Sequence, residues 1–319
     1  FNFFRPQLRA GLTRLFFLPY YIFRDTLIFM KFFNKQRPDL IHVNDLYDFI
    51  PALGAKLLGI PVVYHLRMIR KNYQQTLLFS VMVRFLASKS ISVSFAVNDH
   101  YFKNCDNKND RHMVIYDWPN DLMLNNKVKK NIPNGFDSKY GIVMIGRIEE
   151  WKGQHIFLQA IKLLYKKYKN LSFYIVGGKV QGKKSLSYAY EIEKKCKEIP
   201  GVRFMGERND IKDILNYAKI SIHASITPDP FPGVVLEGML SRSAMIASNS
   251  GGVTEMINNN KDGLLFEPSN PISLAEKIEL LLNDDKLRIE LARNGRKKIL
   301  NITNKIKIIK KIKGLYNNL

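Results

Sequence analysis

The chain has 319 residues, 46% hydrophobic and 12% aromatic, which is material for two domains of about 100 to 200 residues each and excludes a disordered chain. Its formal charge of +22 asks for an anionic partner. Nucleic acid, an anionic membrane surface and phosphorylated substrates compete for that place, while about half of the lysine excess is what a biased genome would give. The two cysteines, Cys105 and Cys196, lie far apart in polar surroundings; they exclude a disulfide framework or a cysteine metal site and suit a reducing cytoplasm.

At the start, Phe1-Asn2-Phe3-Phe4 shows neither an initiator Met nor a basic segment with a small-residue cleavage site, so no secretory signal is expected and the chain reads as a fragment. The longest apolar run, residues 15–23, is less than half of the roughly 20 residues that cross a bilayer, and Arg14, Arg24 and Asp25 flank it. Residues 12–33 interleave Arg14, Arg24 and Lys31 with Phe16, Phe17, Tyr20, Tyr21, Phe23, Phe29 and Phe32. Two readings stay open: an interfacial helix interrupted at Pro19 and suited to anionic lipid, or an internal helix packed on a sheet.

From Leu40 onward, β-branched runs alternate with helical patterns, the signature of βαβ units around a parallel sheet. The first series predicts strands at 40–43, 62–65, 91–97 and 113–116, with helices starting near Tyr47, Tyr73 and Asp99. Residues 1–37 supply no buried strand with a glycine-rich turn, so the first strand of this domain is expected upstream of Phe1. The polar stretch 126–140, with Lys127, Lys129, Lys130, Pro133 and Gly135, reads as a linker. The second series predicts strands at 142–145, 173–176, 202–205, 220–223, 244–248 and 264–266. After Gly153, the spacing of Phe157, Ala160, Ile161, Leu164 and Tyr168 marks the core face of a helix. The tail at 305–313 is expected to be helical. The domain reading is therefore 1–135, 136–301, and a C-terminal helix over 302–319 that packs back towards the first domain. Such tandem α/β domains bind ligands in the cleft between them, at the carboxyl ends of the strands.

Three strand-to-turn segments carry the chemistry. In Pro228-Asp229-Pro230-Phe231-Pro232-Gly233-Val234-Val235-Leu236-Glu237, an acid stands on each side of a turn, and a helix starting near Gly233 would point free N–H groups at an anion. Glu237, one turn inside, suits a ribose diol, and Asp229 suits sugar hydroxyls; either acid alone reads equally as a turn cap or a solvated helix residue. In Ile145-Gly146-Arg147-Ile148-Glu149-Glu150-Trp151-Lys152-Gly153, two cations five residues apart could neutralise a diphosphate, or be ordinary surface charges. In Ser248-Asn249-Ser250-Gly251-Gly252-Val253-Thr254-Glu255, two glycines allow close approach of a ligand, and Glu255 reads equally as a charge at a helix start.

Together these segments resemble glycosyltransferase family 4, the retaining enzymes of the two-domain GT-B fold, over most of the chain and most sharply in its second half. The resemblance covers the Asp229 to Glu237 pair, the Arg147 and Lys152 cations, and Gly251-Gly252 with Glu255. The first half, with Pro38-Asp39-Leu40-Ile41-His42-Val43 and Gly59-Ile60-Pro61-Val62-Val63-Tyr64-His65-Leu66-Arg67, is similar to the acceptor-side unit of that family. Asp229 replaces the commoner Glu, and Pro232 stands where Gly is usual.

The resemblance implies an α/β fold of two Rossmann-like domains with the active site between them. It also implies transfer of a sugar from a nucleoside-diphosphate sugar to a glycan or lipid-linked acceptor of lipopolysaccharide, capsule or related polysaccharide. Arg147, Lys152, Asp229 and Glu237, with His65 competing with Arg67 for a further role, are the implied catalytic residues. Gly146, Met205, Arg208, Phe231, Gly233, Val234, Val235, Gly251, Gly252 and Glu255 would line the donor. No metal or other cofactor is required on this reading. An anionic membrane surface remains a candidate partner at the inner face of the plasma membrane, and nucleic acid does not. A GT-B phosphorylase, a nucleotide-sugar epimerase, an inactive fragment and a basic nucleic-acid-binding protein are the rival readings.

Overall fold

The structure, a computed structural model, describes residues 17–103, 111–124, 132–137, 141–241 and 243–319. Arg14, Phe16, Cys105 and most of the expected linker at 126–140 lie outside the described residues. The chain forms two compact units, one holding the residues up to Asp117 together with Ile306–Leu319, the other Trp118–Lys305. The division at Asp117 and Trp118 falls upstream of the expected boundary at 135 and 136.

In the first unit, helix α1 (Leu18–Gln36) is followed by β1 (Ile41–Val43), α2 (Phe49–Leu57), β2 (Val62–Leu66), α3 (Tyr73–Leu86), β3 (Lys89–Ser92), α4 (Phe95–Phe102) and β4 (His112–Val114). The strands form one parallel sheet in the order β1-β2-β3-β4. The strand expected over 91–97 ends at Ser92, and the helix expected near Asp99 starts at Phe95. The reason is local: Ser94 adopts an extended conformation and its Oγ accepts from the Val97 amide, so a serine cap interrupts the β-branched run and starts a helix. Helix α1 packs along α2, with Asp25, Thr26 and Phe33 buried, while Phe17, Tyr20 and Phe23 stay exposed.

The second unit starts with the short helix α5 (Asp121–Leu124) and β5 (Gly141–Ile145), then a 3-10 turn at Glu150–Lys152 and α6 (Gln154–Tyr165). There follow β6 (Ser172–Val176), α7 (Lys183–Glu198), β7 (Val202–Gly206), α8 (Ile211–Tyr217) and β8 (Ile220–His223). Helix α9 (Gly233–Leu240), β9 (Ala244–Ser248), α10 (Val253–Met256), β10 (Leu264–Phe266), α11 (Pro271–Asn283) and α12 (Asp285–Ile302) complete it. Its six strands, all parallel, run in the order β10-β9-β8-β5-β6-β7. They are apolar on both faces because helices cover both. The core joins Ile142, Met144, Phe173, Ile175, Ile220, Ile222 and Ile246 to Phe157, Ala160, Ile161 and Leu164 of α6.

The chain winds outward from β5 through β6 to β7, then returns to β8 on the other side of β5 and winds outward again. The connections that leave β5 and β8 diverge to opposite sides, opening a crevice at the carboxyl ends of these two strands. All three chemistry-bearing segments follow β5, β8 or β9, so strand order brings together segments far apart in sequence. The last helix, α13 (Lys305–Asn317), belongs to the first unit, where Ile308 and Leu315 pack against Val63, Ile91 and Ile115.

Candidate functional site

At the crevice, Lys152 Nζ lies 2.7 Å from Asp229 Oδ2, with 15% of the lysine side chain and 9% of the aspartate side chain exposed. Lys152 reaches this point from the 3-10 turn after β5. Gly153 then turns the chain into α6 at φ +77°, and a Cβ there would stand 1.9 Å from the Ala224 carbonyl oxygen, so only glycine admits this approach of the β5 turn to the β8 loop. The lysine ammonium also lies 3.9 Å from the Trp151 ring centroid, a cation–π contact that fixes its stem.

Behind the aspartate, His223 ends β8. Its Nε2 lies 3.5 Å from Asp229 Oδ2 and 2.9 Å from Ser225 Oγ, and its Nδ1 has no hydrogen-bond partner. Complete burial drives the His223 pKa down against the pull of Asp229, so the imidazole is neutral. For Asp229, burial opposes ionisation, but the His223 hydrogen bond and the Lys152 charge outweigh it and hold the carboxyl below the usual range. The result is an ionised aspartate between a cation in front and a neutral imidazole behind. Lysine has three donors, so one bond to Asp229 leaves two for a ligand.

Helix α9 starts at Gly233 after Pro232, whose missing N–H and fixed φ suit a helix entrance. The amides of Val235 and Leu236 donate to the Pro232 carbonyl, while those of Gly233 and Val234 belong to the first turn, which has no intrahelical acceptors. A Cβ added at Gly233 would meet nothing within 4 Å, so the space before this end is open. Phe231 and Val235 are buried, and their side chains serve the core; any contact with a donor would come from backbone. Glu237 is half-buried one turn into the helix, and burial alone pushes its pKa up. It thus carries a desolvation cost that no neighbouring cation offsets.

The β9 turn closes the same crevice. Gly251 has φ +60°, and Gly252 N donates to Asp229 O at 2.9 Å. Glu255 is half-buried in α10. On the β5 side, Gly146 N donates to Val176 O, and a Cβ at Gly146 would lie 4.0 Å from Lys152 Cδ. Arg147 is 64% exposed and pairs with Glu149 at 3.2 Å. Arg208, after β7, forms a bidentate pair with Asp210 at 2.8 and 2.7 Å and donates to Asn134 O. Met205 is half-buried in β7, its thioether over Gly135. The structure therefore brings Lys152, Asp229, Gly251 and Gly252 into contact, adds Gly146 at their edge, and occupies Arg208 with an aspartate.

His65 belongs to the first unit, in β2. It is buried, and desolvation, with the nearby Arg67 charge, lowers its pKa to about 3. His223 and Ser225, which back the aspartate, were not singled out from sequence; a histidine at the last position of a buried strand, six residues before the acid, was the available signal. Among the described residues no group of three or more His, Cys, Asp or Glu side chains is placed to hold a metal.

Comparison with known proteins gives the site a family. The family model described as glycosyl transferases group 1 matches residues 125–298, more than half of the chain. A Campylobacter jejuni N,N'-diacetylbacillosaminyl-diphospho-undecaprenol alpha-1,3-N-acetylgalactosaminyltransferase is 33% identical over 159 residues, 50% of this chain and 40% of its own length. This chain thus spans less than half the length of that curated relative in the match. An Escherichia coli UDP-Gal:alpha-D-GlcNAc-diphosphoundecaprenol alpha-1,3-galactosyltransferase is 25% identical over 312 residues, 90% of this chain and 77% of its own. The crystal structure of Anabaena HepE in complex with UDP superposes with a TM-score of 0.79 at 22% identity, covering 94% of this chain and 82% of that one, a likeness of fold. The paired parallel α/β units are those of the GT-B class, and the chain belongs to the glycosyl transferases group 1 family.

Proposed function

We propose that this chain transfers a sugar, with retention of configuration, from a nucleoside-diphosphate sugar to a glycan or lipid-linked acceptor. The observation that carries the reading is the Lys152–Asp229 pair at the carboxyl ends of β5 and β8, beside the open N-terminus of α9. Lys152 and Arg147 supply positive charge, and the first amides of α9 supply donors, where a departing diphosphate needs them. Asp229, ionised and held by Lys152, accepts from hydroxyls of the transferred sugar. Glu237 takes the ribose diol. Gly146, Met205, Gly251 and Gly252 bound the donor through backbone and small contacts, and Phe231, Gly233, Val234 and Val235 do so through the helix entrance. Arg208 and Glu255 complete that outline at its rim. Protein cations take the part that a divalent metal plays elsewhere, so no metal is required.

The acceptor reading draws on the undecaprenol-linked substrates in the names of the two relatives. With it goes the rest of the proposal: a family 4 enzyme that works in the cytoplasm at the inner face of a membrane and makes lipopolysaccharide, capsule or a related polysaccharide. No helix among the described residues is long and apolar enough to cross a membrane. The exposed Phe17, Tyr20 and Phe23 at the start of α1, and Tyr73, Leu77, Leu78, Val81 and Phe85 along one stripe of α3, support a peripheral attachment. No acidic residue occurs from Phe49 to Asn98, where Lys56, Arg67, Arg70, Lys71, Arg84 and Lys89 do. That imbalance suits anionic lipid.

Calorimetric titration of UDP, GDP, ADP and CMP into the full chain, with Glu237→Ala and Arg147→Ala as controls, tests the donor site. Saturable binding of one diphosphate that both controls weaken is expected. Binding to none would overturn the reading. Product analysis then separates transfer from a phosphorylase, which needs phosphate, and from an epimerase, which needs no acceptor.

A further inference from the structure

Three side chains distant in sequence form a chain of hydrogen bonds in the first unit. The Tyr316 hydroxyl, on α13, lies 2.5 Å from His42 Nδ1; His42 Nε2 lies 3.3 Å from His65 Nδ1; and His65 Nε2 is buried without a hydrogen-bond partner. The two imidazoles sit one residue before the ends of β1 and β2, whose register sets His42 beside Val63, so neighbouring parallel strands bring the rings to 5.4 Å between centroids. Tyr316 is half-buried, edge-on to His42, and held there because α13 packs through Ile308 and Leu315 on the β2 and β3 side chains.

We propose that Tyr316, acting through His42, is a positioning residue that fixes His65 as the tautomer with its proton on Nε2, making His65 a hydrogen-bond donor rather than a base. Both histidines are neutral, because burial opposes the charged form of each and the Arg67 charge opposes it further. Each ring therefore carries one proton, and the row has two self-consistent polarities. Tyr316 decides between them. Burial keeps its phenol protonated, and that proton has His42 Nδ1 as its acceptor across a short contact. With Nδ1 accepting, His42 must carry its proton on Nε2, which donates to His65 Nδ1; His65 is then left with its proton on Nε2. The reverse polarity would turn the tyrosine proton away from its nearest acceptor, while His65 Nε2 has no protein partner in either polarity, so Tyr316 makes the difference.

A fixed N–H donor suits a sugar hydroxyl or phosphate oxygen, and it cannot take a proton from an acceptor hydroxyl. The use of that donor rests on the transferase reading, whereas the tautomer itself does not.

The test is long-range proton–nitrogen correlation on the full chain labelled with 15N-histidine, with signals assigned by His42→Gln and His65→Gln. The wild type should show His42 and His65 each protonated at Nε2 and bare at Nδ1. Tyr316→Phe, with an unchanged circular dichroism spectrum, should shift both rings towards averaged tautomers. Protonation of His65 at Nδ1 in the wild type, or an unaltered Nε2 tautomer in Tyr316→Phe, would overturn the proposal. If Tyr316→Phe fails to fold, His42→Phe takes its place, because it cuts the same row, and an unaltered Nε2 tautomer of His65 there would equally overturn the proposal. In a transfer assay, His65→Gln, whose amide can donate from a similar position, should retain about tenfold more kcat than His65→Ala. Absence of transfer in the wild type would count against the enzyme reading and leave the tautomer result standing.

Discussion

Gly251 lies with its Cα against the backbone of Asp229: a Cβ at residue 251 would stand 2.4 Å from the Asp229 carbonyl oxygen and 2.8 Å from its nitrogen. The β9 turn and the acidic β8 loop are therefore built as one piece, and the Gly252 amide ties the same carbonyl. Gly251→Ala should cost about 1–3 kcal/mol, from the φ of +60° together with the clash. It should also displace Asp229 and weaken nucleotide binding. Urea unfolding and calorimetry on one sample check both effects.

Lys152→Met removes the cation from an aspartate that is nearly buried, and should destabilise by about 3–5 kcal/mol at pH 7. Asp229 has a folded pKa below its unfolded value of about 3.9. Its stabilising contribution is thus full above that unfolded value and is lost as pH falls through the lower folded one. The gap between wild type and variant should close in strong acid, where Asp229 is protonated in both. Urea midpoints from pH 7 down to pH 2.5 would show a constant gap if the pair contributed nothing.

Glu237 has the opposite sign. Its folded pKa lies above the unfolded value of about 4.3, so ionisation works against the fold as pH rises through that window and remains a fixed cost above it. Glu237→Gln should be neutral or stabilising at pH 7, with no effect below pH 4, while nucleotide affinity drops. A variant that is destabilised at pH 7 would mean that the carboxylate has a structural partner.

Arg147 is the exposed cation of the site. Arg147→Ala should change stability by no more than about 0.5 kcal/mol, while transfer slows by about a hundredfold or more. Steady-state kinetics beside a thermal melt separate the two.

On membranes, Leu78→Glu combined with Phe85→Glu should abolish flotation with vesicles rich in phosphatidylglycerol and leave UDP binding intact. Flotation retained in the double variant would remove the α3 stripe from the attachment surface. Dimers dispersed by the same changes would assign the stripe to a second copy.

The strands of the second unit were legible because sheets covered on both faces read as continuous β-branched and apolar runs. Predicted and observed bounds there differ by one residue at most. The first unit was less legible at residues 91–97, because Ser94 acts through its own conformation and a single side-chain bond, which hydrophobic pattern does not register. Within the site, spacing picked out Lys152 and Asp229 separately. Their pairing was invisible, since it depends on β8 lying next to β5 although β6 and β7 come between them in sequence and take the other side of β5. The partnership of Arg208 with Asp210, two residues away, could have been read as a local ion pair. The inward turn of Val235 beside the less buried Val234 follows from helix phase, which the glycine turn alone does not set.

The return of α13 to the first unit has a consequence for synthesis. The strands of the first unit emerge from the ribosome before the second unit, but the face formed by Val63, Ile91 and Ile115 waits for Ile308 and Leu315, which follow the second unit in sequence. The second unit, continuous from Trp118 to Lys305, can close its own core before that. The earlier unit to be made is thus the later to be finished, and helix α13, which seals it, also delivers Tyr316 to His42.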